Sequence, residues 1–584
     1  LDKAAVAAIL DEMSSLLELK GENPFKSRAF QNAARVVGSL DGDLETLVRE
    51  NKLKGTPGLG ESLLRDVTEL VTTGNLKAYD ELKAEIPAGL QQMLRIPGLG
   101  PKRIKQIHDA LGIATITDLE AACQANKIAA LPGMGKKSQD NILRGIQFLS
   151  QYQDHYLFPV AEAEAERIVA ALKQLPGILR ISIGGSLRRR KEIVHDIDVV
   201  ASVTDDSYLG PIMDAFTTMP GVVAITGKGD KKSSVVLQPG IAMDLRLCAD
   251  DIYPTMLHHF TGSKEHNVAL RGYAQDHGMK VSEWGLFKGE TLLPVRDEVE
   301  FYATLGMDYI EPELREDRGE IQAALAHRLP GPLLTAQDLR GVLHCHSTWS
   351  DGQVSIKEMA EACIKLGYEY IGICDHSKTA AYAGGLNEDK VKQQQEEIDR
   401  LNAEYAGRFR ILKGTECDIL RDGALDFGEE TLKTFDFVVA SIHSLFNLSQ
   451  EEQTKRLLRA MENPYISIIG HPTGRILLGR DGYGLDMEAV IDRAGELGVC
   501  IEINANPLRL DLDWRWLRRA KEHGVKIPIC PDAHNPGGLE DMRYGVNIAR
   551  KGALSPADVP NTLGADDLLA YFKRQRQPAG PVNT

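Results

Sequence analysis

The stretch Gly184-Gly185-Ser186-Leu187-Arg188-Arg189-Arg190, followed by His195-Asp196-Ile197-Asp198-Val199-Val200, decides how the chain is to be read. It has the form of a strand, a glycine turn carrying a serine and three arginines, and a second strand opening on two carboxylates. Side chains alternate across a strand, so Asp196 and Asp198 share one face. Two close carboxylates repel unless cations neutralise them, and hard oxygen ligands suit Mg²⁺. Gly184 and Gly185 let the backbone approach a phosphate, and Ser186 and Arg189 can donate to its oxygens. Downstream, Ile241-Ala242-Met243-Asp244-Leu245-Arg246-Leu247 is a further apolar strand holding one acid, Asp244. A third carboxylate on a neighbouring strand completes a two-metal site for in-line phosphoryl transfer on a nucleoside triphosphate. A lone Asp-x-Asp is most often a solvated strand edge. Here the acids sit among apolar residues directly after a Gly-Gly-Ser-x-Arg-Arg turn.

The chain has 584 residues, enough for about four domains, each able to bury a core. Its hydrophobic fraction of 43% is that of ordinary globular proteins. No uncharged apolar run reaches about 18 residues, so no membrane span is expected. No signal peptide is visible. Eight scattered cysteines without a Cys-x-x-Cys pair point to free thiols in a reducing cytoplasm. The net charge of −15 argues against nucleic acid as a partner. Any DNA contact must therefore rest on local basic stretches or on backbone amides.

Lys3 to Leu53 has helical periodicity. A phrase then recurs: Thr56-Pro57-Gly58-Leu59-Gly60, Ile96-Pro97-Gly98-Leu99-Gly100 and Leu131-Pro132-Gly133-Met134-Gly135, each before a polar helix-forming segment. This is the helix-hairpin-helix pattern. Gly58, Gly60, Gly98, Gly100, Gly133 and Gly135 expose backbone N–H groups at helix N-termini, which hold a phosphate without reading a base. Lys102, Arg103 and Lys105 follow the second copy, and Lys136 and Lys137 the third. One such turn is ordinarily a helix cap, but three copies favour binding of the DNA backbone.

From Tyr152 to about Asp251 helix and strand mix around the carboxylates. His258-His259-Phe260-Thr261-Gly262-Ser263 then leads to Asn267 and Arg271. With the spacing from Gly185-Ser186 to Asp196, Asp198 and Asp244, residues 1–320 resemble a family X DNA polymerase. The resemblance implies a multidomain fold: a helical DNA-end-binding domain (1–85), a helix-hairpin-helix subdomain (86–151), an α/β nucleotidyltransferase palm (152–251) and a nucleotide-selecting subdomain (252–325). By position, Asp196 and Asp198 would hold both Mg²⁺ or Mn²⁺ ions, with Asp244 on the metal that activates the primer 3′-hydroxyl. Gly185, Ser186 and Arg189 would bind the triphosphate of a dNTP. Phe260 and Gly262 would border the sugar, and Asn267 and Arg271 would face the minor groove of the nascent pair. His259 stands where well-studied eukaryotic members usually have tyrosine, which opens the question of sugar selection. The pair His258-His259 has no acid or cysteine at ligand spacing to support a metal site. Gap filling on gapped or nicked DNA in base excision repair, by a monomer in the bacterial cytoplasm, is the implied role.

Residues 326–337, with Pro330-Gly331-Pro332, read as a linker. Beyond it His344-Cys345-His346 lies in a short strand, with Asp351 after a Ser-Thr-Trp-Ser turn. Ile371-Gly372-Ile373-Cys374-Asp375-His376, Lys413-Gly414-Thr415-Glu416, Ser441-Ile442-His443, Ile469-Gly470-His471 and Ile529-Cys530-Pro531-Asp532-Ala533-His534 follow. Short apolar runs ending in His, Asp or Glu and separated by helical segments predict a barrel of βα units with its polar residues at one mouth. His344 and His346 share a strand face and Cys345 points away, which leaves the cysteines out of the site. The nine donors His344, His346, Asp351, His376, Glu416, His443, His471, Asp532 and His534 exceed one ion's needs and predict two or three. Imidazole with carboxylate suits Mn²⁺, Zn²⁺ or Fe²⁺ better than Mg²⁺. Residues 338–575 resemble the polymerase and histidinol phosphatase (PHP) domain, a distorted β/α barrel. That resemblance implies metal-dependent phosphoester hydrolysis, here a Mn²⁺-favoured 3′→5′ exonuclease.

Two other readings are compatible with parts of the pattern. The Gly-Ser…Asp-x-Asp core is shared with non-templated nucleotidyltransferases, and the barrel could stabilise a DNA-binding scaffold. The hairpin repeats and Phe260-Thr261-Gly262-Ser263 argue against the first, and the intact acids and ligands against the second. One activity of eukaryotic family members is expected to be missing. Where they place a Schiff-base lysine for 5′-deoxyribose-phosphate removal, this chain has Asp66, beside Arg65.

Overall fold

The computed structural model describes residues 3–40, 44–151 and 154–575; the expected palm start at Tyr152 falls outside them. The chain divides into two compact units, 1–153 and 154–584.

The first unit is all-helical among its described residues, from Lys3–Lys20 to Lys136–Gln151, around its own apolar core. The three recurring phrases fold alike. Leu59 N donates to Thr56 O, Leu99 N to Ile96 O and Met134 N to Leu131 O, at 3.0–3.1 Å. Gly58, Gly98 and Gly133 take φ of +89°, +77° and +72°. Proline at the second and left-handed glycine at the third position are the requirements of a type II turn. Leu59, Leu99 and Met134 are buried, which anchors each turn. Gly60 and Gly100 cap the helices Glu61–Thr73 and Pro101–Leu111 with no side-chain cap, so the N–H groups of the first turn stay open.

The second unit opens on a five-stranded sheet in the order Ile178–Ile183, Asp196–Val203, Ala242–Ala249, Lys232–Leu237, Val222–Lys228. Only Asp196–Val203 and Ala242–Ala249 run parallel, with Asp198 opposite Asp244. Alternation sorts the faces. Ile197, Val199, Ala201, Met243 and Leu245 enter the core under the helices Phe158–Leu172 and Leu209–Thr217. Val200 and Cys248, on the acid face, pack beneath helix Tyr253–Thr261. Residues beyond that helix form a small body with its own core, including Lys264–Asp276 and a three-stranded antiparallel sheet.

The C-terminal barrel has seven parallel strand positions: Gly341–Cys345, Tyr370–Ile373, Arg410–Lys413 continued by Glu416–Asp418, Val439–Ser441, Ile468–Ile469, Cys500–Ile501 continued by Ile503–Asn504, and Ile529–Cys530. A bridge from Cys345 to Ala533 closes the circle. The expected linker is not a free tether. Leu333 and Leu334 are buried, and Leu334 N donates to Leu554 O at 3.0 Å. Palm and barrel share one continuous apolar core. Phe158 meets Tyr544 edge-on at 6.1 Å, and Glu192 accepts from Trp514 Nε1 and Arg515 Nη1 at 3.1 and 2.8 Å.

Candidate active sites

The palm site is shaped by Gly185. Its φ is +61°, and a Cβ there would lie 2.6 Å from Asp198 Oδ2, so only glycine fits. The expected turn is a four-residue helix, Gly185–Arg188, and Gly185 admits the acid itself rather than only a phosphate. Asp196 is exposed at the strand start, while Asp198 and Asp244 are half-buried. Arg246 spans the latter two, donating through Nη1 to Asp198 Oδ1 (2.8 Å) and through Nη2 to Asp244 Oδ2 (3.0 Å). Burial raises Asp198 to about 6; Arg246 opposes this, and Asp196 and Asp244 add to it. Burial also works to raise Asp244, but Ser234, Lys232 and Arg246 together hold it below the usual carboxylate range. Arg246 lies two residues from Asp244 on the same strand face, the signal by which the sequence could have revealed it.

The second site sits at the barrel mouth, with Glu416 as its hub. Glu416 Oε1 lies 2.8 Å from His471 Nε2, 3.1 Å from His443 Nε2 and 3.4 Å from His344 Nε2. Its Oε2 lies 3.1 Å from His376 Nδ1 and 3.6 Å from His346 Nε2. Asp532 Oδ1 is 3.1 Å from His346 Nε2. Asp351 is 3.3 Å from His534 Nε2 and 3.6 Å from His376 Nε2. All nine expected donors thus converge. Two ligands bonded at about 2.1 Å to one ion stand about 3.0–3.4 Å apart, which the shorter separations match. His344 Nε2, both nitrogens of His346, His376 Nδ1 and His471 Nδ1 are buried without a hydrogen-bond partner. Such atoms cost about 1–3 kcal/mol each unless something binds them. The donor set therefore fits a metal centre. Every metal-competent cluster among the described residues lies here and none in the palm, where Arg246 holds the place between the acids.

Backbone strain accompanies the site. His344, His471 and Asp532 have φ of +60°, +22° and +54°, each costing about 1–3 kcal/mol. His344 falls where the register of its strand shifts, so a bulge as well as alternation turns it toward His346. Sequence reading missed the residues behind the ligands. Glu502 Oε2 lies 2.8 Å from His344 Nδ1, and Asp418 Oδ1 lies 2.6 Å from His443 Nδ1. Carboxylates in these places fix the ring so that its other nitrogen faces the ion. Ile501-Glu502 ends an apolar run like the others, and Asp418 lies two residues from Glu416, so both carried a signal. Asp375, left out of the ligand set, accepts from Ser347, Ser350 and Gln394 and staples the Ser-Thr-Trp-Ser turn. All eight cysteines are buried, and no disulfide joins them. Burial disfavours charge on Glu416, yet His443, His376 and His344 hold it well below its ordinary range. Burial likewise opposes a charged His443, but Glu416 and Asp418 raise it to about 10.

Models of the DNA polymerase beta thumb and the PHP domain match residues 256–316 and 343–506. Helix-hairpin-helix models match 2–76 and 90–147. The chain is 39% identical over 576 residues to the DNA polymerase/3′-5′ exonuclease PolX of Bacillus subtilis, covering 98% of this chain and 99% of that one. It belongs to the family X DNA polymerases that carry a PHP domain. The barrel alone resembles smaller proteins. A probable phosphatase of Caldanaerobacter subterraneus is 34% identical over 261 residues (41% of this chain, 95% of that one), and one of Thermoanaerobacter sp. is 30% identical over 249 (41% and 96%).

In this family X chain the arginines after Ser186 are tied down. Arg188 donates to Glu298 and Thr261, and Arg190 to Glu313 and Asn547. Arg189, expected at the triphosphate, instead donates to Glu316 Oε1 (2.9 Å) and Thr261 O (2.8 Å) and is buried. Ser186 is half-buried in the short palm helix, and the structure does not bring Arg189 to it. Phe260 lies under Arg246, whose guanidinium is 3.9 Å from the ring centroid. A Cβ on Gly262 would meet Asn267 Oδ1 at 2.6 Å, and Asn267 Nδ2 donates to His259 O at 2.8 Å. Asn267 thus pins the Phe260-Thr261-Gly262 bend. Arg271 is exposed one helical turn on. His258 is buried against Phe301 and Tyr302, a core histidine. At the second hairpin Lys102 and Arg103 are exposed, whereas Lys105 pairs with Asp109 at 2.8 Å.

Proposed function

We propose that the protein extends primers from dNTPs on gapped or nicked DNA, as in base excision repair, and trims 3′ ends with its barrel. The reading is carried by two separate acid centres in one compact unit: Asp198 in register with Asp244, and nine donors gathered on Glu416. In the palm, Asp196, Asp198 and Asp244 would hold Mg²⁺ or Mn²⁺ once Arg246 gives up its bonds to Asp198 and Asp244. Gly185 and Ser186 meet the triphosphate, joined by Arg189 once its pair with Glu316 opens. Phe260 and Gly262 border the sugar, and Asn267 and Arg271 face the minor groove of the new pair. The glycines at 58, 60, 98, 100, 133 and 135, with Lys102 and Arg103, grip the DNA backbone.

In the barrel the nine donors hold two or three Mn²⁺, Zn²⁺ or Fe²⁺ ions. When bound, such ions supply Lewis acidity toward a phosphodiester and its nucleophile. Water adds to the terminal phosphorus, the bond to the preceding O3′ breaks, and O3′ takes a proton. The products are a nucleoside 5′-monophosphate and a strand shortened by one residue. Glu502 and Asp418 keep His344 and His443 oriented throughout. The protein works as a monomer.

Separation of the activities tests this. Asp198→Asn should reduce primer extension about a hundred- to a thousandfold, a loss typical of removing a charge-stabilising group, and leave 3′ degradation intact. His344→Ala or His471→Ala should do the reverse. A folded Asp198→Asn protein that lost both activities would overturn the two-site reading.

A further inference from the structure

The barrel mouth carries side chains that metal binding does not use. Fifteen large hydrophobic side chains are exposed among the described residues, and three of them lie near expected donors in sequence: Tyr382 six residues after His376, and Leu445 and Phe446 two and three residues after His443. Tyr382 is 74% exposed in the turn Ala381–Ala383, yet its ring centroid lies 6.3 Å from that of His376. The turn is held firmly. Gly384 has φ of +71°, Gly385 N donates to Ala380 O, and a Cβ on Gly385 would lie 1.9 Å from Ser377 O. An aromatic ring fixed beside a ligand and left in water contributes little to the core. Phe446 differs: Tyr483 stacks on it at 5.7 Å and Arg480 lies over its ring at 4.7 Å, so it is wall rather than open platform. Arg509 completes the rim. Its Nε lies 3.9 Å from Asp532 Oδ2, and its guanidinium makes no hydrogen bond among the described residues.

We propose that this rim is a subsite for the 3′-terminal nucleotide of a single DNA strand, with Tyr382 stacked on the base and Arg509 on the phosphate. The inference rests on the exonuclease reading and deepens it. Arg509 stands at the edge of the centre, paired with Asp532 only at 3.9 Å, and its fork matches phosphate oxygens. Every base has a π face, so one open ring gives grip without sequence preference. A phosphate monoester released from a small molecule would need no such ring. Tyr382 is a positioning residue and takes no part in breaking the bond.

The test compares two substrates with the full-length, Mn²⁺-loaded protein: a 5′-labelled single-stranded oligonucleotide and bis(p-nitrophenyl) phosphate, a diester without a base. Tyr382→Ala should lower the ratio of oligonucleotide to small-diester hydrolysis about tenfold or more, through KM rather than kcat, with Tyr382→Phe restoring it. A 3′-terminal abasic nucleotide should bring the wild type to the Tyr382→Ala level. Arg509→Ala should depress both substrates, since both present a phosphate. An unchanged ratio in Tyr382→Ala overturns the subsite alone. A wild type that cleaves the small diester and leaves every oligonucleotide intact overturns the exonuclease reading and the subsite with it.

Discussion

Loading the barrel centre with metal displaces protons, because His443 and His534 bind an ion only when neutral. Burial opposes their charge, but Glu416 and Asp418 raise His443 to about 10, and Asp351 and Asp532 raise His534 to about 9. Both therefore carry a proton at pH 7 in the metal-free protein. Apparent Mn²⁺ affinity should climb as pH rises above 7 and fall in acid, with protons released on binding at pH 7. Calorimetric titrations in buffers of different ionisation enthalpy would read this, and identical heats in all buffers would refute it. A second residue-scale expectation concerns Asp66. It lies on helix Glu61–Thr73 in a cavity of about 620 Å³ with Lys20, Lys26, Glu61, Glu81 and Glu85. Burial, aided by Glu69, raises its carboxyl, and no carboxyl can form a Schiff base. Glu85, 2.7 Å from Lys20, keeps that amine protonated. Borohydride trapping on a 5′-incised abasic substrate should give little or no adduct within residues 1–85; a strong one would point to Lys26. The convergence of the nine expected donors was legible because most of them end a short apolar run. Glu502 ends such a run too, but its role is defined by the far nitrogen of a histidine 158 residues away. The pairing of Arg189 was hidden for the same reason: Glu316 lies 127 residues on.

Among the elements, the hairpin turns were the most legible, since Pro-Gly-x-Gly leaves a backbone few alternatives. Their chemistry differs from copy to copy. The first helix begins with Glu61 and carries Asp66, whereas the second presents Lys102 and Arg103 to solvent. The second should therefore hold most of the phosphate contacts. Replacing Lys102 and Arg103 by Ala should weaken binding to all DNA sequences alike and lower the log–log salt slope by about 1.8, near 0.9 per lost contact. Adding Lys105→Ala should change little more, since Asp109 already occupies that amine. A slope that stayed constant in filter-binding titrations would place the main contacts elsewhere. The palm strands were legible from alternation, whereas the register that sets Asp198 opposite Asp244 came from the structure. The bulge at His344 and the helical form of Gly185–Arg188 were not legible either. Both depend on what the strand meets in three dimensions, an acid against Gly185 and Glu502 behind His344.

At the scale of the molecule, composition marked residues 326–337 as a connector but could not say what covers it. Gly331 and Pro332 are exposed, yet Leu333 and Leu334 that follow are buried, and those two apolar residues were the signal that the connector docks. Its docking belongs to a larger fact: palm and barrel share a core. Lys551 of the barrel reaches Glu316 at 2.5 Å and the carbonyl of Arg189 at 3.0 Å, and Arg550 reaches Glu313 at 2.7 Å. A unit built this way should unfold as one, so that metal bound to the barrel stabilises the palm as well. Mn²⁺ at a hundred times its dissociation constant adds about 2.7 kcal/mol to whatever unfolds with the site. Protein heated with Mn²⁺ should therefore keep primer extension to higher temperature than protein heated with chelator, when both are assayed afterwards in Mg²⁺. In His344→Ala, whose barrel centre is damaged, the protection should shrink or vanish, which excludes a direct effect of Mn²⁺ at the palm. Equal inactivation with and without Mn²⁺ in the wild type would mean that palm and barrel unfold independently despite their common core.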